Sequence, residues 1–217
     1  KNLAIEMEKV NGTLIHISTD YVFSGLKLGN YNEKDIPDPK NIYGQSKLDG
    51  ENSVINNISK YIIIRTSWVY SSYDNNFLTT MLRLAKTNDE LSIVSDQKGA
   101  PTSAKSIARA IFTIIDFISN NKRFNSGIYN FSGKPHMSWF DFARDIFKRS
   151  NNLRILEKDV TLIPILTSEF KFKAPRPLNS SLNNNKILNF FSITPDNYSK
   201  SLDEVLDEIK KISANKS

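Results

Sequence analysis

Thr13-Leu14-Ile15-His16-Ile17-Ser18 and Tyr61-Ile62-Ile63-Ile64-Arg65 are short β-branched runs, and each reads as a buried strand. A helical pattern precedes each of them. Leu3, Ala4, Met7 and Val10 recur at helical spacing before the first run, and Asn11-Gly12 breaks that pattern. Tyr43 to Ile55, with Leu48 and Val54 on its apolar side, precedes the second, after a loop rich in Gly, Asn, Asp and Pro over Ser24 to Pro39. Further on, Phe77 to Ala85 and Ser103 to Ile118 read as helices flanking a brief strand at Leu91 to Val94. Alternating elements of this kind predict a parallel sheet covered by helices, an α/β fold.

From about residue 120 the texture changes. Gly127 to Phe131 and Thr161 to Ile165 read as short strands, Ser138 to Arg149 as a helix, and Ser199 to Ile212 as a last amphipathic helix. Ser138 with Asp141 three residues on is a capping-box pattern, which sets where its helix begins. Trp139, Phe142, Ala143 and Ile146 recur at three and four and are expected in the core. Asn183 to Asn185 reads as a helix start or a surface turn.

With 39% hydrophobic and 24% charged residues over 217 positions, the composition is that of a folded globular protein. The longest dense apolar stretch, Ile111 to Ile118, contains Asp116 and is far shorter than the roughly 20 residues of a bilayer span. Lys1 to Val10 lack the apolar core of a secretory signal, so no membrane partner and no export are expected. Zero cysteines exclude disulfides, thiolate-bound metals and thiol catalysis, and suit a reducing, cytoplasmic setting. His16 and His136 stand far apart, which argues against a histidine zinc site. Of the net charge of +6, residues 101–217 hold 18 basic against 11 acidic side chains. That excess reads either as a solvated basic face or as an anion site for phosphates; no nucleic-acid motif accompanies it.

Tyr43 and Lys47 lie four apart on a predicted helix and so share one face, where an ammonium favours the phenolate of a nearby tyrosine. Random placement of the 8 Tyr residues among the Lys residues yields about 0.8 such pairs, so context must supply the information. The first strand ends in Ser18-Thr19-Asp20 and the second is followed by Thr66-Ser67-Trp68. Both deliver polar groups to the carboxyl edge of a parallel sheet, where open α/β folds bind ligands. The same residues also admit a plainer reading, with Thr19 capping a loop and Trp68 packing.

Longer stretches carry a family resemblance. They are HISTDYVFSG (His16 to Gly25), YGQSKLDGE (Tyr43 to Glu51), RTSWVY (Arg65 to Tyr70), NNFLTTMLRLAK (Asn75 to Lys86), DQKGAPTSA (Asp96 to Ala104), GIYNFSG (Gly127 to Gly133) and APRPLNSSL (Ala174 to Leu182). Together they resemble the extended short-chain dehydrogenases/reductases, and among them the dTDP-4-dehydrorhamnose reductases. The resemblance implies a Rossmann-like doubly wound parallel sheet with a smaller α/β substrate-binding domain. Residues 1–119 would be the remainder of the NAD(P)-binding domain and 120–217 mainly the substrate domain, the two interleaving. It further implies hydride transfer from NADPH or NADH to C4 of a dTDP-4-keto sugar, with Tyr43 as proton donor. Lys47 would bind the nicotinamide ribose, Ser18 would stand with Tyr43 and Lys47 at the cofactor, and Thr19 would hydrogen-bond the reacting oxygen. Asp20 and Trp68 would contact the sugar nucleotide, and Arg176 would meet its diphosphate.

The chain also departs from the pattern. No Gly-rich phosphate-binding turn occurs, and the match starts roughly 80 residues into the family's expected length, at a chain that opens with Lys1. The expectation is a chain lacking the N-terminal strands, binding cofactor poorly by itself, with an exposed sheet edge that favours association, a homodimer included. Lys105 stands in a stretch where some relatives hold magnesium with carboxylates, so no metal is expected. A nucleotide-sugar epimerase and a non-catalytic NADP-binding regulatory subunit are the alternatives within the superfamily. Net consumption of reduced cofactor separates the first, and insensitivity to Tyr43→Phe the second.

Overall fold

The computed structural model describes residues 1–120, 125–156, 158–171 and 174–214. Its first elements are α1 (Asn2–Lys9), β1 (Leu14–Thr19), α2 (Ile42–Ile55), β2 (Tyr61–Thr66), β3 (Val69–Tyr70), α3 (Phe77–Ala85) and β4 (Glu90–Val94). There follow β5 (Lys98–Gly99), β6 (Thr102–Ser103), α4 (Ala104–Asn120), β7 (Gly127–Asn130), β8 (Met137–Ser138) and α5 (Trp139–Asn152). The last are β9 (Thr161–Ile165), α6 (Asn185–Phe191) and α7 (Tyr198–Ala214).

β2 lies between β1 and β7, parallel to both, with Ser18 opposite Arg65 and Arg65 opposite Asn130. Its apolar run is unbroken because both of its faces are covered. Ile62 and Ile64 pack on one side with Ile107 and Ile114 of α4, Tyr129 of β7 and Ile187 of α6. Ile63 points the other way, into Ala4 of α1, Val54 of α2 and Ile58. Helices on both faces of a parallel sheet make this an α/β fold, as the strand and helix patterns predict, and a Rossmann-like one, as the family resemblance implies. Each of these fully buried isoleucines contributes about 1.5–3 kcal/mol by leaving water.

A second core gathers Leu78 and Leu82 of α3, Ile93 of β4, Phe142 and Ile146 of α5, and Leu202 and Leu206 of α7. Here β4 pairs in parallel with β9. Elements from either side of residue 120 thus share sheets: β7 lies beside β2, and β9 beside β4. The Ser138–Asp141 capping box forms, with the Asp141 N–H donating to Ser138 Oγ (3.0 Å) and the Ser138 N–H donating to Asp141 Oδ2 (3.3 Å). Asn183 to Asn185 is a helix start, since α6 begins at Asn185; the two-residue strands β3, β5, β6 and β8 carry too little pattern to be read from sequence. Phe142, Ala143 and Ile146 lie in this second core as expected; Trp139 packs against its edge, and its half-buried ring also lines the large cavity described below.

Candidate active site

A cavity of about 1070 Å³ opens where β1 and β2 end, and Ser18, Thr19, Asp20, Tyr43, Lys47, Trp68 and Arg176 all border it. The site therefore collects every residue that the sequence singled out. They come from three places: the two strand ends, the first turns of α2, and the segment 174–176. Asn41 starts α2 by accepting the Gly44 N–H on its side chain (2.8 Å). Gly44 has no room for a side chain, since a Cβ there would sit 2.2 Å from the Tyr21 carbonyl oxygen. That close approach seats the first turn of α2 on the loop after β1 and brings Tyr43 to the cavity rim, where it is 55% exposed. Tyr21 meets the Tyr43 ring edge-on, with centroids 5.6 Å apart. One turn further, Lys47 Nζ donates to the Ile17 carbonyl (2.5 Å), which fixes the ammonium at the end of β1.

The strand end beneath is polar and almost closed to solvent. Thr19 Oγ1 donates to Asp20 Oδ1 (2.9 Å) and accepts the Tyr21 N–H (3.3 Å), so it caps the 3₁₀ turn Asp20–Val22 while bordering the cavity. Asp20 Oδ2 has no hydrogen-bond partner among the described residues. Burial pushes the Asp20 carboxyl up to about 7, against the smaller opposing effect of the Thr19 hydroxyl. The Ser180 hydroxyl is also close, but it is spent on the Lys98 carbonyl (3.2 Å). Ser18 is placed differently from its neighbours: its hydroxyl donates to buried Glu51 (2.5 Å) rather than to anything in the cavity. Burial likewise holds the Tyr21 phenol up at about 12, with the Asp20 carboxylate adding to the effect, so it is no proton source near neutrality.

The aromatic wall is built by a turn. Trp68 has φ 48°, a left-handed conformation uncommon for so bulky a residue, and this redirects the chain between β2 and β3. Its indole stacks on Trp139 at 3.4 Å between centroids, and its Nε1 donates to Ser180 Oγ (3.1 Å). Phe77 lies against the Trp139 ring at 4.4 Å, and both residues border the cavity. The sequence hid Trp139 and Phe77 as site residues because their spacing is also that of a core stripe. Thr66 borders the cavity as well, and its buried hydroxyl has no partner among the described residues. Its signal was present in the polar triplet 66–68. Arg176 is exposed at the cavity, joined there by Lys171, so cationic side chains overhang a pocket whose floor is hydroxyl-rich. Among the described residues no group of three or more His, Asp or Glu side chains gathers to hold a metal ion, and Lys105 is paired with Glu208. No helix among them is long and apolar enough to cross a membrane.

The fold is that of the short-chain dehydrogenase/reductase class. A family model described as the RmlD substrate binding domain matches residues 1–211. The dTDP-4-dehydrorhamnose reductase of Aggregatibacter actinomycetemcomitans is 42% identical over 195 residues, covering 90% of this chain and 66% of that protein. A crystal structure of the dTDP-4-dehydrorhamnose reductase from Clostridium acetobutylicum superposes with a TM-score of 0.86 at 37% identity, over 96% of this chain and 70% of that one. The Bacillus anthracis dTDP-4-dehydrorhamnose reductase in complex with NADP gives 0.82 at 37% identity, over 95% and 69%. The chain belongs to the RmlD family. It spans about two thirds of the length of the curated relatives it matches.

Proposed function

We propose that this chain carries the proton-donating and sugar-binding part of a dTDP-4-dehydrorhamnose reductase, which reduces the C4 ketone of dTDP-4-dehydrorhamnose to give dTDP-L-rhamnose. The observation that carries the reading is the meeting of Thr19, Tyr43 and Lys47 at one cavity, on the carboxyl ends of parallel strands. The residues fit a nicotinamide in part. Tyr43 and Lys47 stand at the cavity, whereas β1 runs into a 3₁₀ turn, so no strand, Gly-rich turn and helix form a pyrophosphate cradle among the described residues. Bound reduced nicotinamide would supply the hydride; NADPH is our assignment, on the likeness to a relative solved with NADP.

The chain's own side chains do the rest. Tyr43 gives its phenolic proton to the oxygen that the ketone leaves behind, and the Thr19 hydroxyl hydrogen-bonds the same oxygen. The Lys47 ammonium, held by the Ile17 carbonyl, orients the cofactor ribose. Asp20 and the edge of Trp68 meet the sugar, and Arg176 meets the diphosphate. Ser18 reaches the cofactor through its backbone only, since Glu51 takes its hydroxyl. Residues 1–119 and 120–217 divide, on this reading, into cofactor and substrate parts that interleave; the assembly is a homodimer, at work in the cytoplasm.

The test is oxidation of NADPH with the dTDP-4-keto sugar by the protein that carries this chain. Tyr43→Phe is expected to lower kcat by about 10²- to 10⁴-fold, the ordinary worth of a positioned proton donor. Turnover without net NADPH consumption would instead mark an epimerase. Binding of NADPH that is indifferent to Tyr43→Phe, with no turnover in the parent, would mark a regulatory module.

A further inference from the structure

Behind the cavity floor, a charged network closed to solvent joins three elements. Glu51 and Arg65 are each 1% exposed. Arg65 Nε donates to Glu51 Oε1 (2.9 Å) and Nη2 to Oε2 (2.6 Å), a two-pronged grip, while Ser18 Oγ donates to Oε1 (2.5 Å). The guanidinium lies over the Phe23 ring, 4.9 Å from its centroid. One carboxylate on α2 thus takes hydrogen bonds from register partners on β1 and β2, Ser18 and Arg65. We infer that Glu51, held by Arg65, is a positioning residue for the proposed reduction: it sets the rotation and tilt of α2, and so the placement of Lys47 and Tyr43.

Two observations and one general argument carry this. Tyr43, Lys47 and Glu51 follow at four-residue spacing on one face of α2, so a change in how Glu51 sits is passed straight along that face. Lys47 and Glu51 hold consecutive β1 residues, Ile17 by its carbonyl and Ser18 by its hydroxyl, next to Thr19. Finally, a buried ion pair adds little net stability over apolar residues of the same size, because desolvation offsets the attraction; what it adds here is direction. Tyr43 is two turns from Glu51, about 12 Å along the helix axis. A tilt of about 10° at Glu51 moves the phenol by about 2 Å, and a misplacement of about 1 Å already costs on the order of 10² in rate.

The inference rests on the reductase reading, and its test separates the two. The double variant Glu51→Leu/Arg65→Met replaces the pair with apolar side chains of similar size, and Ser18→Ala cuts only the tie to β1. For the double variant the expected result is a kcat lowered about 10- to 100-fold, with KM for the keto sugar changed less than about threefold and the melting temperature retained. Ser18→Ala, which leaves Glu51 Oε1 to Arg65 alone, is expected to lower kcat several-fold and the melting temperature by a few degrees. Amide exchange at residues 17–20 and 43–47 is read on the same proteins and should quicken, while β4 and α5 keep their protection. A parent that turns over, with both variants retaining full kcat, overturns the inference and leaves the reductase reading standing. Unchanged exchange at those residues overturns it even if no protein turns over, a result that separately defeats the reductase reading. Should the double variant not fold, Ser18→Ala decides by the same two readouts.

Discussion

Replacing Asp20 with asparagine converts the buried carboxyl of the cavity floor into a stability measurement. Asp20 is 2% exposed and accepts the Thr19 hydroxyl on one oxygen, and its other oxygen has no hydrogen-bond partner among the described residues. Its carboxyl is pushed from 3.8 to about 7, a shift of about three units or about 4 kcal/mol. The sign follows from which state holds the proton more tightly. Folded chain keeps it up to about pH 7, while the unfolded chain releases it near pH 4, so the stability is full below about pH 4 and is lost as pH rises through about 7. The amide of the Asp20→Asn variant does not titrate. The difference in unfolding free energy between variant and parent should therefore move by about 4 kcal/mol in favour of the variant between about pH 4 and pH 8. Urea unfolding followed by the fluorescence of Trp68 and Trp139 reads it. With a slope of ~2.5 kcal/mol/M, the two midpoints shift relative to each other by about 1.5 M. A difference that stays constant across this range refutes the argument, because it means that the carboxyl titrates alike in both states.

Two further outcomes follow from close contacts. Gly99→Ala puts a Cβ 2.2 Å from Trp68 Cε2, so the indole must move against Trp139; a loss of about 1–3 kcal/mol and an altered near-UV tryptophan signal are expected, and an unchanged signal rejects the contact. The outer edge of β7 is occupied by Lys186 Nζ donating to the Ile128 carbonyl (2.7 Å) and by Glu33 Oε1 accepting the Asn130 N–H (2.8 Å). Glu33→Ala/Lys186→Ala bares that edge to strand addition, and light scattering should find larger species at concentrations where the parent has none; equal sizes would show that the two side chains do not guard it.

The strands and helices near the site were legible because their signals are local. TLIHIS and YIIIR need no partner to read as buried strands, and Ser138 with Asp141 writes its own helix start. Tyr43 and Lys47 were legible only as a pair at a spacing that chance also produces, and family likeness supplied the weight that spacing lacked. By itself, then, the chain's order of residues determined the α/β alternation, the start of α5 and the motif residues of the site. Only the tertiary structure decided that Trp139 belongs to the cavity wall, that Ser18 turns inward to Glu51, and that burial pushes the Asp20 carboxyl up to about 7. The reason is physical: periodicity records which face of an element is apolar. Whether a polar group is solvated, paired or stranded depends on what residues dozens of positions away bring to it, as Ser18 does for Glu51 and Ser180 for Trp68.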